Sequence, residues 1–254
     1  MRIAISGSAN LGKSTLIKDF LQEWPMYGYE VTSYRNIVAE KQLPHSKQTT
    51  KETQKAILEY MVDSLKQFDK DDKVIFDRCP LDNLVYSMWG MSQDDNDIDE
   101  EFIDECIPIV REALENLDII FFIPITKFNK IQVEDNGNRE TDENYIKEID
   151  NFFKVLQRHY HEHPQENPFF PRDNSPALIE VFGKPEERLE MIKLYLDNEG
   201  DLIGGDGSST DLFNPENLDM MEKLLESQGI AHKEELQLKD QIEAFKDLHE
   251  KSKK

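Results

Sequence analysis

The chain has 254 residues, 38% of them hydrophobic, which is enough for one core with additions or two small ones without covalent staples. Asp and Glu total 52 against 30 Lys and Arg, a formal net charge of −22, and such a surface repels nucleic-acid backbones and anionic membranes unless a local basic groove overrides it. Cys79 and Cys106 sit in apolar-patterned segments, no apolar run reaches transmembrane length and no secretory leader pattern opens the sequence, so a cytoplasmic protein without disulfides is expected.

A buried strand is predicted over Arg2–Ser6, followed at once by Ile5-Ser6-Gly7-Ser8-Ala9-Asn10-Leu11-Gly12-Lys13-Ser14-Thr15 and an amphipathic helix. Gly7, four residues, then Gly12, Lys13 and Ser14 fit the phosphate-binding loop, whose backbone amides and helix N-terminus hold phosphate oxygens. Gly7, Asn10, Gly12, Lys13, Ser14 and Thr15 are the candidate nucleotide-binding residues. Lys13 is expected to reach the β- and γ-phosphates of ATP, and the Ser14 hydroxyl to hold Mg2+. The aromatic break Trp24-Pro25-Met26-Tyr27 reads as packing.

A second strand is expected over Glu30–Tyr34, then a helix over Thr49–Phe68 with apolar residues at helical spacing and a capping box from Thr49 to Glu52. The third strand, Lys73–Phe76, runs into Asp77-Arg78-Cys79-Pro80. Its end places Asp77 and Arg78 at the carboxyl edge of a parallel sheet, the edge where such folds bind ligands. There Asp77 can hold Mg2+ or accept a hydroxyl proton, and Arg78 can face an acceptor. Pro80 fits the first turn of a helix carrying Leu81, Leu84, Val85 and Met88. The acidic run Asp94 to Glu105 reads as a solvated loop and helix start, and Phe102 to Leu117 as a longer helix.

Ile119–Ile123 is the fourth strand, and Asp118 before it lies at the wrong edge for metal binding. The polar segment 124–140 supplies Lys127, Lys130 and Arg139, of which Arg139 is expected in a lid that closes over a triphosphate. A helix opens at Thr141-Asp142-Glu143, and a fifth strand is expected over Ala177–Phe182. Alternating His159, His161 and His163 do not share a helix face, so a solvated helix end is expected there rather than a metal site. Strands alternating with helices give an α/β fold, a parallel sheet covered on both faces. Residues 1–198 form the expected main domain, 199–213 an acidic Gly/Ser linker, and 214–254 a helical tail that offers a surface for a partner or a second copy.

The stretches "ISGSANLGKST", "FDRCPLDNLVYS", "IIFFIP" and "EDNGNRETDENYIKEID" together resemble the P-loop nucleoside and nucleotide kinases related to the ribosylnicotinamide kinase domain of NadR, neighbours of thymidylate and deoxynucleoside kinases. The resemblance covers about residues 1–198. It implies a five-stranded parallel sheet, ATP and Mg2+ as donor pair, Lys13, Asp77 and Arg139 as the chemical group, and Arg78 toward a small nucleoside or nucleotide acceptor. The segment Val31–Arg35 lacks the carboxylate that related kinases use for the acceptor sugar; Arg35 and Gln54 are candidates for an acceptor phosphate and a base edge. A kinase acting on a polynucleotide end or on a hydroxymethylated base in DNA is the alternative, disfavoured by the net charge, and a nucleotide-dependent switch is another.

Overall fold

The computed structural model describes residues 1–29, 33–127, 141–162, 167–171 and 173–203. Five strands, β1 (Arg2–Ser6), β2 (Gly28–Tyr29), β3 (Val74–Asp77), β4 (Ile119–Phe122) and β5 (Ala177–Glu180), form one parallel sheet in the order β2-β3-β1-β4-β5. The first strand is therefore central, flanked by β3 and β4, and the chain reverses its winding direction there. That reversal opens the crevice at the carboxyl edge in which α/β folds bind ligands.

Side chains alternate across the sheet. Ala4, Val74, Phe76, Ile120, Phe122 and Leu178 point into a core shared with α3 (Lys51–Lys66), α4 (Pro80–Met91), α5 (Glu100–Leu114) and α6 (Glu143–Glu162). On the opposite face α1 (Lys13–Glu23) buries Leu16, Ile17 and Phe20 and packs against β1 and β3. Trp24 and Tyr27 close over Phe20, with ring centroids 4.7 and 4.9 Å away, as the sequence suggested. Helices thus cover both faces.

Two local readings need correction. A second strand is found at Gly28–Tyr29, and the expected one does not extend to Tyr34: Ser33 caps a helix, α2 (Tyr34–Glu40), by accepting a hydrogen bond from the Arg35 amide, so Tyr34 is already helical. Residues 30–32 of the expected strand lie outside the described residues. The cap of α3 is Thr50, which accepts from the Thr53 amide, because the Thr49 hydroxyl is taken by the Gln54 side chain. The helix start expected within the acidic run falls at Glu100, capped by Asp99. Pro80 does occupy the first turn of α4.

Asp118 is at the amino edge, where it accepts from the Arg2 amide at 2.6 Å. His159 and His161 lie in the last turn of α6; among the described residues no group of three or more His, Cys, Asp or Glu is placed to hold a metal ion. No helix of the described residues is long and apolar enough to cross a membrane.

The chain divides into two compact units, Met1–Phe182 and Gly183–Lys254. In the second, α7 (Pro185–Ile192), which the sequence reading did not name, is followed by a turn in which Asp197 accepts from the amides of Glu199 and Asp201 and Leu196 pairs with Leu202. The predicted tail, 214–254, lies outside the described residues.

Candidate active site

β1 ends at Ser6, and the loop to α1 turns through Gly7 (φ 131°), Asn10 (φ 60°) and Gly12 (φ 77°). At Gly7 no other residue fits: a Cβ would lie 2.6 Å from the Ile123 carbonyl oxygen. Gly12 ends the loop as the residue before α1, whose first turn carries no capping side chain and no acid. The first amides of α1 and its positive dipole end are left facing the crevice.

Lys13 opens the helix with its side chain almost fully buried and its Nζ donating to the Ser8 carbonyl. Burial, and next the neighbouring Arg78 guanidinium, lower its pKa to about 7, while the Asp77 and Asp82 carboxylates pull the other way. This amine is poised to gain full charge when an anion arrives.

Asp77 closes β3, paired in register with Ile5, and its Oδ1 is buried without a hydrogen-bond partner. Arg78 follows in a left-handed backbone conformation (φ 84°) that turns its buried side chain back toward the loop. Its guanidinium donates to the Gly7 carbonyl at 3.0 Å, to Asp82 Oδ1 at 2.8 Å and to the Tyr86 hydroxyl at 3.2 Å. The aspartate-arginine pair therefore faces the glycine loop.

These groups border one cavity of about 810 Å3. Asn10, Gly12, Lys13, Ser14, Thr15, Asp77 and Arg78 line it. Arg35 of α2 and Gln54 of α3 line it too, with apolar Val38, Leu43, Ile57 and Met61, and the Arg35 charge reaches Lys13. The Arg35 guanidinium lies 5.2 Å from the Tyr34 ring centre. Gln54 Nε2 donates to Thr49 Oγ1 at 2.8 Å and its Oε1 accepts from Asn83 Nδ2 at 2.6 Å, so one N–H and one lone pair of the amide remain for a ligand. Gly7 shapes the loop but is not part of the cavity wall. Arg139, the expected lid residue, lies outside the described residues, as does Lys130; Lys127 is exposed.

Two residues of this site were not singled out from the sequence. Asn83, buried, holds Gln54 in place and keeps its own Oδ1 without a partner. Asp82, also buried, accepts from Ser6 Oγ (2.8 Å), the Gly7 amide (3.4 Å), Arg78 and the Cys79 amide (3.1 Å). A legible signal existed: a carboxylate in the first turn of a proline-led helix, four residues after an arginine.

The chain matches the model of an AAA domain family over residues 2–167. It belongs to that family. No curated protein sequence matches this member. Among solved structures, the deoxyadenosine kinase from M. mycoides with dCMP and dCDP bound is similar at TM-score 0.57 and 18% identity, over 76% of this chain and 96% of that one. Thymidylate kinase from Candida albicans aligns at TM-score 0.50 and 12% identity, over 76% of this chain and 89% of that one. NadR in complex with NR aligns at TM-score 0.49 and 15% identity over 71% of this chain and 45% of that one, too loosely to bear on the site. This AAA domain thus has the fold of the P-loop nucleoside and nucleotide kinases.

Proposed function

We propose that the protein is an ATP-dependent phosphotransferase that moves the γ-phosphate of ATP to a small nucleoside or nucleotide. One observation carries the reading: a single cavity joins the phosphate-binding loop, a strand-end carboxylate and a set of amide and apolar side chains. A triphosphate bound at the start of α1 and an acceptor bound between α2 and α3 meet at Asp77. In the transfer, an acceptor oxygen bonds to the γ-phosphorus, the bond from that phosphorus to the β–γ bridging oxygen breaks, and ADP leaves with the electron pair; the acceptor's proton passes to Asp77 or to water. Lys13 supports the charge on the leaving phosphates, and Arg139 from the lid is assigned the same task.

Mg2+ fits this site. Ser14 and Asp77 both border the cavity, and the buried, unpartnered Asp77 Oδ1 is a hard oxygen suited to that ion or to a water bound to it. When bound, the ion neutralises phosphate charge. Arg35 is assigned to an acceptor phosphate, and Gln54, braced by Asn83, to a base edge through its remaining donor and acceptor. Deoxyadenosine kinase from M. mycoides, of the same fold, binds dCMP, dCDP and dATP, ligands of the size this cavity admits. A kinase unit over 1–198, a linker over 199–213 and a partner-binding tail over 214–254 complete the proposal, and the acidic surface sets polynucleotide acceptors aside.

The test is transfer. The protein is incubated with γ-labelled ATP, Mg2+ and a panel of nucleosides, nucleoside monophosphates, ribosylnicotinamide and short oligonucleotides. Label on a nucleoside or monophosphate is expected; ATP turnover with no labelled acceptor would sink the reading. Asp77→Asn is expected to retain ATP affinity and lose turnover.

A further inference from the structure

We infer that Asp82 is the positioning residue of the site: it fixes the Gly7 peptide, and through it the phosphate cradle, to the Arg78 guanidinium at the end of β3. This rests on the phosphotransferase reading above and names a residue which that reading does not use. The observation is a grip on both ends of one residue. The Gly7 N–H donates to Asp82 Oδ1 (3.4 Å) while the Gly7 carbonyl accepts from Arg78 (3.0 Å), and the two gripping side chains are themselves paired at 2.8 Å. Both are buried, with side-chain exposures of 6% for Arg78 and 1% for Asp82.

Asp82 Oδ2 meanwhile accepts from the last residue of β1, Ser6, and from the Cys79 amide at the start of α4. One carboxylate therefore joins β1, the glycine turn, the end of β3 and the first turn of α4. Its oxygens spend their lone pairs on four protein donors, with the Cys79 thiol a further, longer contact at 3.6 Å. That leaves Asp82 no chemical role of its own; it acts through the groups it holds. Without a Cβ, Gly7 has many backbone conformations open to it, and the hydrogen bonds on its two sides select the one with φ 131°. Arg78 also has a positive φ, and without the carboxylate its guanidinium loses the anchor that turns it toward Gly7.

The test compares three full-length proteins: wild type, Asp82→Asn, and the charge-balanced Arg78→Met/Asp82→Leu. MgATP is the probe, titrated calorimetrically well below each unfolding midpoint so that only folded protein is read. The double variant keeps the local net charge and replaces a buried ion pair by apolar groups of similar size, an exchange proteins commonly tolerate. The expectation is MgATP affinity lower by about tenfold or more in both variants, as for loss of positioning rather than of a ligand contact, with the unfolding midpoint of the double variant near that of wild type. A folded double variant that binds MgATP within about twofold of wild type, a negligible energy against positioning effects, overturns the inference and leaves the kinase reading standing. A double variant unable to fold makes Asp82 a structural residue and overturns it too. Wild type that binds no MgATP at all removes both.

Discussion

Two helices hold the crevice by the same device, and they differ in how well they hide it. At the start of α4, Arg78 from the turn before the helix and Asp82 in its first turn grip Gly7 by its carbonyl and its amide. On α6, Lys154 and Asp150, again four residues apart and 2.9 Å from each other, grip Ile125 in the same sense: its amide donates to Asp150 Oδ1 at 2.9 Å and its carbonyl accepts from Lys154 at 2.7 Å. The first pair fixes the turn after β1 and the second the segment after β4, the two neighbouring strand exits that frame the loop. Yet Lys154 is 39% exposed whereas Arg78 is 6% exposed. A buried guanidinium loses its whole environment when its partner goes; a half-exposed ammonium turns to water. Lys13 is coupled to both devices: after burial, Arg78 lowers its pKa, and its charge weakly opposes the burial that raises the pKa of Asp150.

The largest effect is expected at the point the two grips converge on. Lys13→Met should abolish acceptor labelling and weaken MgATP binding at least a hundredfold, as measured by calorimetry, for it removes a charge-assisted contact to phosphate. The same substitution is expected to stabilise the ligand-free protein near neutral pH. With a pKa lowered to about 7, Lys13 binds fewer protons folded than unfolded between pH 7 and its unfolded value, so the stability of wild type rises with pH across that window. The advantage of Lys13→Met over wild type should shrink over the same range in denaturation curves; a constant difference would show that the buried amine is not the cause.

Next comes the buried grip. Arg78→Ala should cost about 3–5 kcal/mol in chemical denaturation, the range for stranding a buried charge. Asp150→Ala should cost less, about 1–3 kcal/mol, for the loss of a buried acceptor from the Ile125 amide. Burial raises the pKa of Asp150, so its protonation favours the folded state fully below the ordinary carboxylate value, and that contribution is lost as pH rises from there through its folded pKa; Asp150→Asn should flatten that slope. Smallest is Lys154→Met, about 1 kcal/mol, because the ammonium it removes is half-exposed and the buried Asp150 it leaves, whose pKa burial already raises, can take up a proton instead of standing charged. Equal costs for Arg78→Ala and Lys154→Met would erase the contrast between the two helices.

Much of this was readable beforehand because it is local. The loop motif needs only neighbouring residues, and Asp77-Arg78 could be assigned to the carboxyl edge because a parallel strand's direction decides it. Pro80 announced α4, and Asp118 was correctly set aside for the same directional reason. The end of the second strand was set too late because Tyr34 carries strand propensity, whereas the cap formed by Ser33 puts it in α2. Thr49 and Thr50 both suit a cap, and only the third partner, Gln54, tells them apart. Asp82 and Asn83 remained hidden for a different reason: their meaning lies in Gly7 and Gln54, far away in sequence, and no periodicity encodes a hydrogen bond between them.

The central position of β1 has a consequence for synthesis. Ile3 pairs with Ile75 on one side and with Ile119 on the other, so the earliest strand made waits for the middle of the chain before it has two neighbours. Until Ile119 has left the ribosome, the glycine turn has no Ile123 carbonyl behind it and no finished crevice in front. Nascent chains shorter than that should ignore ATP, and the glycine loop, made before the strands that complete it, is among the last parts to become competent.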